Sequence, residues 1–275
     1  MSVGNIDIRP QIHRDSRLTR KGDKQGGLIQ SLARGIEVLR AFGPENDRMT
    51  IAEAARATGL TRAGARRILL TLEHLGYVRS DERHYYLTAR VLELGHGFLA
   101  QPLWQVVRRA LLSVSKQLNE TASAGVLDGD EVVYTVRVRS ERVLQIELRA
   151  GARLPAFASS IGRMLLATLP PGALNRYFAG ATFPAFTKNT VTQPEELRKR
   201  LDAVRAQGWC YINSEIEMGI CGVAVPLTDA TGQTLCALNV STRSDRISLQ
   251  TAKSTIVPLL RETAASVRSE LQAVV

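Results

Sequence analysis

Residues Met49 to Thr88, MTIAEAARATGLTRAGARRILLTLEHLGYVRSDERHYYLT, constrain the fold more than any other part of the chain. Thr50 precedes IAEAARAT with Glu53 three positions on, the pattern of a capping box, and Ile51, Ala54, Ala55 and Thr58 share one face of the helix that follows. Gly59 ends that helix and Thr61 caps the next, whose predicted inward stripe is Ala65, Ile68, Leu69, Leu72 and Leu75. Arg62, Ala63, Arg66 and, more obliquely, Arg67 are left outside. Gly76 stops the second helix, and YVRSDERHYYLT gives two short β-prone runs around a polar turn with Arg83 and His84 at its tip. A capped helix, a glycine break, a basic helix and a β-wing in this order predict a winged helix-turn-helix.

The chemistry of that segment selects a polyanion. A helix in the major groove offers base edges only to exposed side chains near its start, where Arg pairs in bidentate fashion with guanine or phosphate. Arg62 and Arg66 are therefore expected to read bases from a start formed by Thr61 and Ala63, with Arg67 beside them, while Arg83 and His84 meet the backbone. SLARGIEVLRAF, residues 31–42, predicts a preceding helix with Leu32, Ala33, Ile36 and Leu39 inward and Arg34 near phosphate. A single arginine on an amphipathic helix is as readily a solvated face, so the ordered set carries the expectation of double-stranded DNA. Net charge agrees: the chain carries +10, of which residues 1–90 hold +6 and residues 91–275 hold +4.

At 275 residues the chain suits two domains with cores of their own. The expected division is a basic flexible tail over 1–26, a DNA-binding domain over 27–90, linker helices over 91–119 and a further domain over 120–275. The linker sequence reads as helix broken at Pro102, and Leu92, Leu94, Phe98, Leu99 and Trp104 are expected to be buried against a partner, which predicts a dimer. No apolar run reaches membrane-spanning length, and Cys210, Cys221 and Cys236 have neither metal-ligand nor disulfide spacing, so a reduced cytoplasmic location is expected, without cofactor or metal.

From Thr121 the pattern turns to strands alternating with helices. SAGVLDGDEVVYTVRVRS reads as a hairpin around Asp-Gly-Asp, VLQIELRAG as a further strand, and SSIGRMLLATLP as a helix with a serine cap. TQPEELRKRLDAVRAQGW reads as a helix closed by Gly208, CYIN as a strand, CGVAVPLTDATGQTLCALNVST as a second hairpin, and the stretch from Ser248 as a closing helix. The fold class is α+β: a winged helix-turn-helix, a linker helix and a GAF-like α/β domain. Ser160 and its neighbours begin a helix, so the backbone N–H groups of Ile161 and Gly162 are expected to receive a carboxylate, with Gly162 keeping the approach open. Asn239 and Ser241, two apart in a strand, share one face and can bond an anion or a hydroxyl; each of these polar residues has an equally weighted structural role as cap or backbone partner. Arg153 and Arg163 read as solvated.

SLARGIEVLRAF, LTRAGARRILLTLEHLGYV, GARLPAFASSIGRMLLATLP, QGWCYINSEIEMGICGVAVPL and LCALNVST, in that order, resemble the IclR family of bacterial transcriptional regulators over nearly everything after residue 27. Within it they look like the Pca and Pob type, which regulates aromatic-acid breakdown through the β-ketoadipate pathway. The resemblance implies a dimer, often assembling to a tetramer, and an effector site between the Ser160 helix, the Asn239 strand and the loop NSEIEMGICG, which brings Ile220 and Gly222 to the pocket wall. Asn213 departs from the frequent Asp, and Gly222 from the Cys of some members with very small oxoacid effectors, from which a wider pocket is expected. The function expected is a regulator on a palindromic operator whose grip a small carboxylate tunes. Competing readings are a regulator of another catabolic pathway answering a small oxoacid, a constitutive DNA binder without effector, and an enzyme with a DNA-binding appendage. Against catalysis, Glu215 and Glu217 have no convergent nucleophile, Ser113 and Lys116 fall in a linker helix, and no Gly-rich phosphate loop occurs.

Overall fold

The computed structural model describes residues 27–43, 46–140 and 149–273, so the expected tail over 1–26 and residues 143–148 of the strand expected at VLQIELRAG lie outside the described residues. The chain divides into two compact units, the second beginning at Leu99.

In the first unit, α1 (Gln30–Ala41) packs through Val38 and Ala41, with Phe42 just beyond its end, against α2 (Ile51–Thr58) and α3 (Arg62–His74). The expected inward stripe of α1 is corrected: Leu32 is 61% and Ile36 50% exposed, because only the C-terminal turn of the helix meets the core. Thr50 and Glu53 complete the capping box on α2, and Gly59 closes it in the left-handed region at φ 69°. Thr61 Oγ1 accepts the Gly64 N–H at 3.1 Å, and Ala65, Leu69 and Leu72 form the buried stripe of α3. Leu75 stays 47% exposed as the helix ends beneath it. There Gly76, at φ 79°, donates to the Glu73 carbonyl and Tyr77 to the Leu72 carbonyl, a paired closure that satisfies the last carbonyls. The wing strands β2 (Val78–Ser80) and β3 (Tyr85–Leu87) gain a third, β1 (Arg48–Met49), in the order β1-β3-β2. A two-residue strand has no periodicity to read, and its burial of Met49 opposite Tyr85 ties the turn before α2 to the wing.

A turn at Ala89–Leu92 leads into α4 (Glu93–Leu99). Leu92, Leu94, Phe98 and Leu99 are exposed there, whereas Trp104 is buried in the core of its own unit, which corrects its assignment to an interface.

The second unit is built on a six-stranded antiparallel sheet. Its strands are β4 (Thr121–Asp128), β5 (Glu131–Val138), β6 (Arg153–Pro155), β7 (Cys210–Asn213), β8 (Ile220–Thr228) and β9 (Thr234–Arg243), in the order β6-β5-β4-β9-β8-β7. One face carries Ala122, Ala124, Val136, Val138, Val223, Val225, Leu238 and Val240 into the main core under α5 (Pro102–Leu118), which begins with Pro102 at its first turn. The other face is covered by α6 (Ser160–Thr168), next to α7 (Pro171–Gly180) and backed by α8 (Pro194–Gln207), which Gly208 ends at φ 71°. The closing segment is α9 (Leu249–Thr251), a π turn over Ala252–Ile256 and α10 (Val257–Ala273), which packs on α5 and β8. The π turn falls ahead of Pro258, which cannot donate to the helical ladder.

Register along the sheet explains which side chains reach the α6 face. Ser123 pairs with both Arg137 and Asn239, so these three residues form one row across β5, β4 and β9. A bulge shifts the register between Ala124 and Gly125, where Gly125 faces Tyr134 and Ala124 faces Val136. The extra residue, Thr135, reverses the alternation along β5, and Tyr134 and Arg137 come to the same face although they are three positions apart.

Candidate functional site

The first site is the outer face of α3. Thr61, Arg62, Ala63, Arg66 and Arg67 are all exposed, and Arg62 and Arg66 stand one turn apart on the same side. Among the described residues neither guanidinium group pairs with a carboxylate. Arg34 is exposed on α1. At the wing, Asp81 accepts the N–H of His84 at 2.8 Å and of Arg83 at 3.3 Å, and its other oxygen accepts the Tyr86 hydroxyl. The Tyr86 hydroxyl above all, and then the His84 N–H, pull the Asp81 carboxyl down to about 2. Arg79 lies over the Tyr86 ring at 4.7 Å. The wing tip is therefore set by its own carboxylate, with Arg83 exposed and His84 half-buried beside Asp81. Arg90 closes the back of α3 by donating to the Leu75 carbonyl at 2.9 Å.

The second site is a pocket between the α6 end and the sheet, with about 550 Å³ of empty space counted to its open mouth. Ser160, Ile220, Gly222 and Ser241 line it, together with Tyr134, Arg137, Leu154, Ile212 and the loop residues Glu215, Ile216 and Glu217. Ile161, Gly162 and Asn239 do not. Ile161 is fully buried toward Gly125, and the Gly162 N–H is engaged by Ser159 Oγ at 3.0 Å as the helix cap, which corrects the expectation that it faces a ligand. Nor is Gly162 a means of approach: a methyl group there would stand 2.2 Å from the Ala156 carbonyl oxygen, so the glycine lets α6 pack on the turn before it.

Asn239 lies behind the pocket and organises it. Its Nδ2 donates to Ser160 Oγ at 2.8 Å and to the Val223 and Val240 carbonyls at 3.0 and 3.1 Å, while its Oδ1 accepts from Ser241 Oγ at 2.7 Å. Gly222 makes this closeness possible, because a methyl group on it would lie 2.6 Å from Ser160 Oγ and 3.2 Å from Asn239 Nδ2. The expected widening at Gly222 is thus corrected: Ser160 fills the space that the missing side chain leaves.

The loop over the pocket is held from outside. Ser214 takes φ 59°, its hydroxyl bonds Asn213 Oδ1 at 2.8 Å and accepts the Gly219 N–H at 3.0 Å, and Thr187 and Thr190 donate to the Ser214 and Glu215 carbonyls, each at 2.6 Å. Arg163 is not solvated: it is buried on α6 and forks onto both oxygens of Glu215, with its Nε on the Phe157 carbonyl at 2.6 Å. Arg153 is half-buried and bridges Glu131 and Asp128, each at 2.6 Å. Burial raises the Glu217 carboxyl above its ordinary range.

Arg137 and Tyr134 are the pocket residues that the sequence reading missed. Their signal was an arginine inside the apolar run VVYTVRV, and the bulge hid that it shares a face with Tyr134. Arg137 Nη1 is 3.4 Å from Ser123 Oγ, and its buried Nε has no hydrogen-bond partner among the described residues. Burial lowers the Arg137 guanidinium from its ordinary value and pushes the Tyr134 hydroxyl up to about 12, so at neutral pH both are donors. Among the described residues no group of three His, Cys, Asp or Glu is placed to hold a metal, and no helix is long and apolar enough to cross a membrane.

Residues 31–82 match the IclR helix-turn-helix domain, and residues 99–269 match the bacterial transcriptional regulator IclR C-terminal domain. The chain is 41% identical to the Pca regulon regulatory protein of Pseudomonas putida over 85% of this chain and 81% of that one. It is 34% identical to the p-hydroxybenzoate hydroxylase transcriptional activator of Acinetobacter baylyi over 88% of this chain and 91% of that one. Its structure is similar, with a TM-score of 0.78 and 28% identity, to an IclR homolog of Microbacterium hydrocarbonoxydans complexed with 4-hydroxybenzoate, covering 88% of this chain and 99% of that one.

Proposed function

The chain belongs to the IclR family of bacterial transcriptional regulators, and from that premise we propose that it controls genes of aromatic-acid breakdown in answer to an aromatic carboxylate. One observation carries the reading: a single chain holds both an exposed basic helix whose Arg62 and Arg66 pair with no carboxylate among the described residues and, in its other unit, a pocket lined by polar and apolar side chains. The first is an electrostatic footprint for a duplex; the second is the ordinary form of a small-molecule site. The relatives support the chemical class, since their names place them in the regulation of a Pca regulon and of p-hydroxybenzoate hydroxylase, and a structural neighbour holds 4-hydroxybenzoate.

In this reading residues 27–90 bind DNA, 91–119 link and 120–275 sense. Arg62 and Arg66 read bases from the helix start formed by Thr61 and Ala63, with Arg67 alongside, and Arg34, Arg83 and His84 hold the backbone. The effector lies against Ser160, Ile220, Gly222 and Ser241, with Asn239, Ile161 and Gly162 shaping the wall behind them. Leu92, Leu94, Phe98 and Leu99 are exposed apolar residues of the linker, the composition of a surface that pairs two copies and so presents two reading heads to a palindromic operator. The effector acts by binding two geometries of that dimer unequally, which for allosteric proteins is worth about 1–3 kcal/mol.

The test is operator binding by the full-length protein with and without protocatechuate, 4-hydroxybenzoate, β-ketoadipate, muconate, glyoxylate and pyruvate, alongside thermal stability in each. Stabilisation and altered operator affinity with an aromatic acid support the reading. A response to glyoxylate or pyruvate alone assigns the protein to another catabolic pathway, and no response to any acid leaves a constitutive DNA binder.

A further inference from the structure

The two ends of the pocket differ in hydrogen-bonding sense, and the difference fixes how a ligand must lie. The Val223 and Val240 carbonyls can only accept, so the Asn239 amide has to turn its Nδ2 toward them and its Oδ1 toward Ser241. Oδ1 can only accept, so the Ser241 proton is engaged at 2.7 Å and its oxygen faces the pocket as an acceptor. The Ser241 oxygen offers a carboxylate no donor, whereas it can receive a hydroxyl. Facing it from β5 is Arg137, donor only and positively charged, with a buried N–H that no group among the described residues satisfies. Beside it, Tyr134 supplies a second donor. The apolar lining is Leu154, Ile212, Ile216 and Ile220, and the loop adds Glu217, whose carboxyl is shifted by burial toward its neutral form.

We propose that Arg137 receives the carboxylate of the effector and Ser241 its hydroxyl, so that the pocket selects a hydroxylated ring acid by its two opposite ends. This rests on the reading of the second unit as a carboxylate sensor. Arg137 lies on β5 and Ser241 on β9, with β4 between them, which separates their backbones by about 10 Å across the sheet. An acid of two or three carbons reaches one end and leaves the other unmet. A hydroxybenzoate carries an anion and a donor on opposite sides of a flat apolar body, and each finds its complement. Of the N–H groups at the α6 start, that of Gly162 is already taken by Ser159 Oγ.

Calorimetry on the full-length protein with 4-hydroxybenzoate, 4-hydroxybenzamide and benzoate separates the ends. The wild-type chain is expected to prefer the acid to the amide by about tenfold or more, since a charged partner strengthens the hydrogen bonds to Arg137. Arg137→Gln erases that preference and Arg137→Lys keeps part of it, while both variants still prefer 4-hydroxybenzoate to benzoate. Ser241→Ala does the opposite, losing the preference for the hydroxyl and keeping the preference for the acid. The proposal is overturned if Arg137→Gln discriminates acid from amide as the wild type does, or if the two variants exchange their effects. A crystal of the wild-type chain with 4-hydroxybenzoate reads the same question without a substitution, and a carboxylate on Ser241 rather than on Arg137 overturns it equally. If the wild type binds none of the three, the hydroxybenzoate reading of the pocket falls and takes the orientation with it.

Discussion

Arg163 on α6 and Glu215 in the loop after β7 form a buried two-pronged ion pair, with nitrogen to oxygen distances of 2.7 and 2.5 Å. The pair fastens the pocket loop to the helix behind it, and Glu215 Oε2 also accepts the Val191 N–H at 3.2 Å. Removing one partner leaves a buried charge unmet. Glu215→Ala is therefore expected to destabilise the second unit by roughly 3–5 kcal/mol, whereas Arg163→Met combined with Glu215→Leu restores most of the loss. Urea denaturation of the wild type and the two variants checks this, and a loss from Glu215→Ala below about 1 kcal/mol would show that water reaches the pair.

Asn239 carries the next prediction. Its amide satisfies two backbone carbonyls and both pocket serines, so Asn239→Ala strands buried acceptors at a cost of about 1–3 kcal/mol. It also frees Ser160 and Ser241 to turn, and effector binding is expected to be lost while operator binding stays. Ser241→Ala leaves one acceptor, Asn239 Oδ1, without its donor and is expected to cost less than Asn239→Ala. Thermal melts with and without 4-hydroxybenzoate distinguish the two, and equal ligand-induced shifts in wild type and Asn239→Ala would remove Asn239 from the organisation of the site.

How much of this was legible followed from how local each signal was. The caps at Thr50, Thr61 and Ser159 and the stops at Gly59, Gly76 and Gly208 act within one helical turn, and each stands where its residue type requires. Ser160, Gly222 and Ser241 could be placed together because a helix start and a strand alternation are both readable. Arg137 could not, since the bulge that turns it beside Tyr134 is set by pairing with β4 and leaves no mark in the period of β5. Trp104, Leu32 and Ile36 were misassigned for a related reason. A helix shows which residues share a stripe, but which stripe is covered, and by what, depends on the tertiary neighbours.

The glycine at 222 is a packing requirement, and that makes a prediction with a built-in rescue. Gly222→Ala places a methyl group 2.6 Å from Ser160 Oγ, and overpacking of this size costs about 1–3 kcal/mol. Deleting the hydroxyl in Gly222→Ala combined with Ser160→Ala is expected to recover most of it. If the double variant is no more stable than Gly222→Ala alone in chemical denaturation, the contact with Ser160 is not what excludes a side chain. Gly162→Ala has no such rescue, because the clash at 2.2 Å is with the Ala156 backbone.

On the DNA side, the exposed arginines divide into two kinds by position. Arg62 and Arg66 stand in the first two turns of α3, where side chains reach base edges; Arg34 on α1 and Arg83 at the wing tip flank that helix. Arg62→Ala and Arg66→Ala are expected to weaken the operator complex by roughly 1–3 kcal/mol and to relax base preference at one position each, with far less effect on random DNA. Arg34→Ala and Arg83→Ala remove a cation from phosphate, so they weaken operator and random DNA alike and lower the slope of log affinity against log salt by about one. Fluorescence anisotropy on both kinds of duplex over a salt series measures all four. Arg62→Ala and Arg66→Ala losing operator and random affinity in equal proportion would place these two arginines on the phosphates and leave the bases to other residues of the helix.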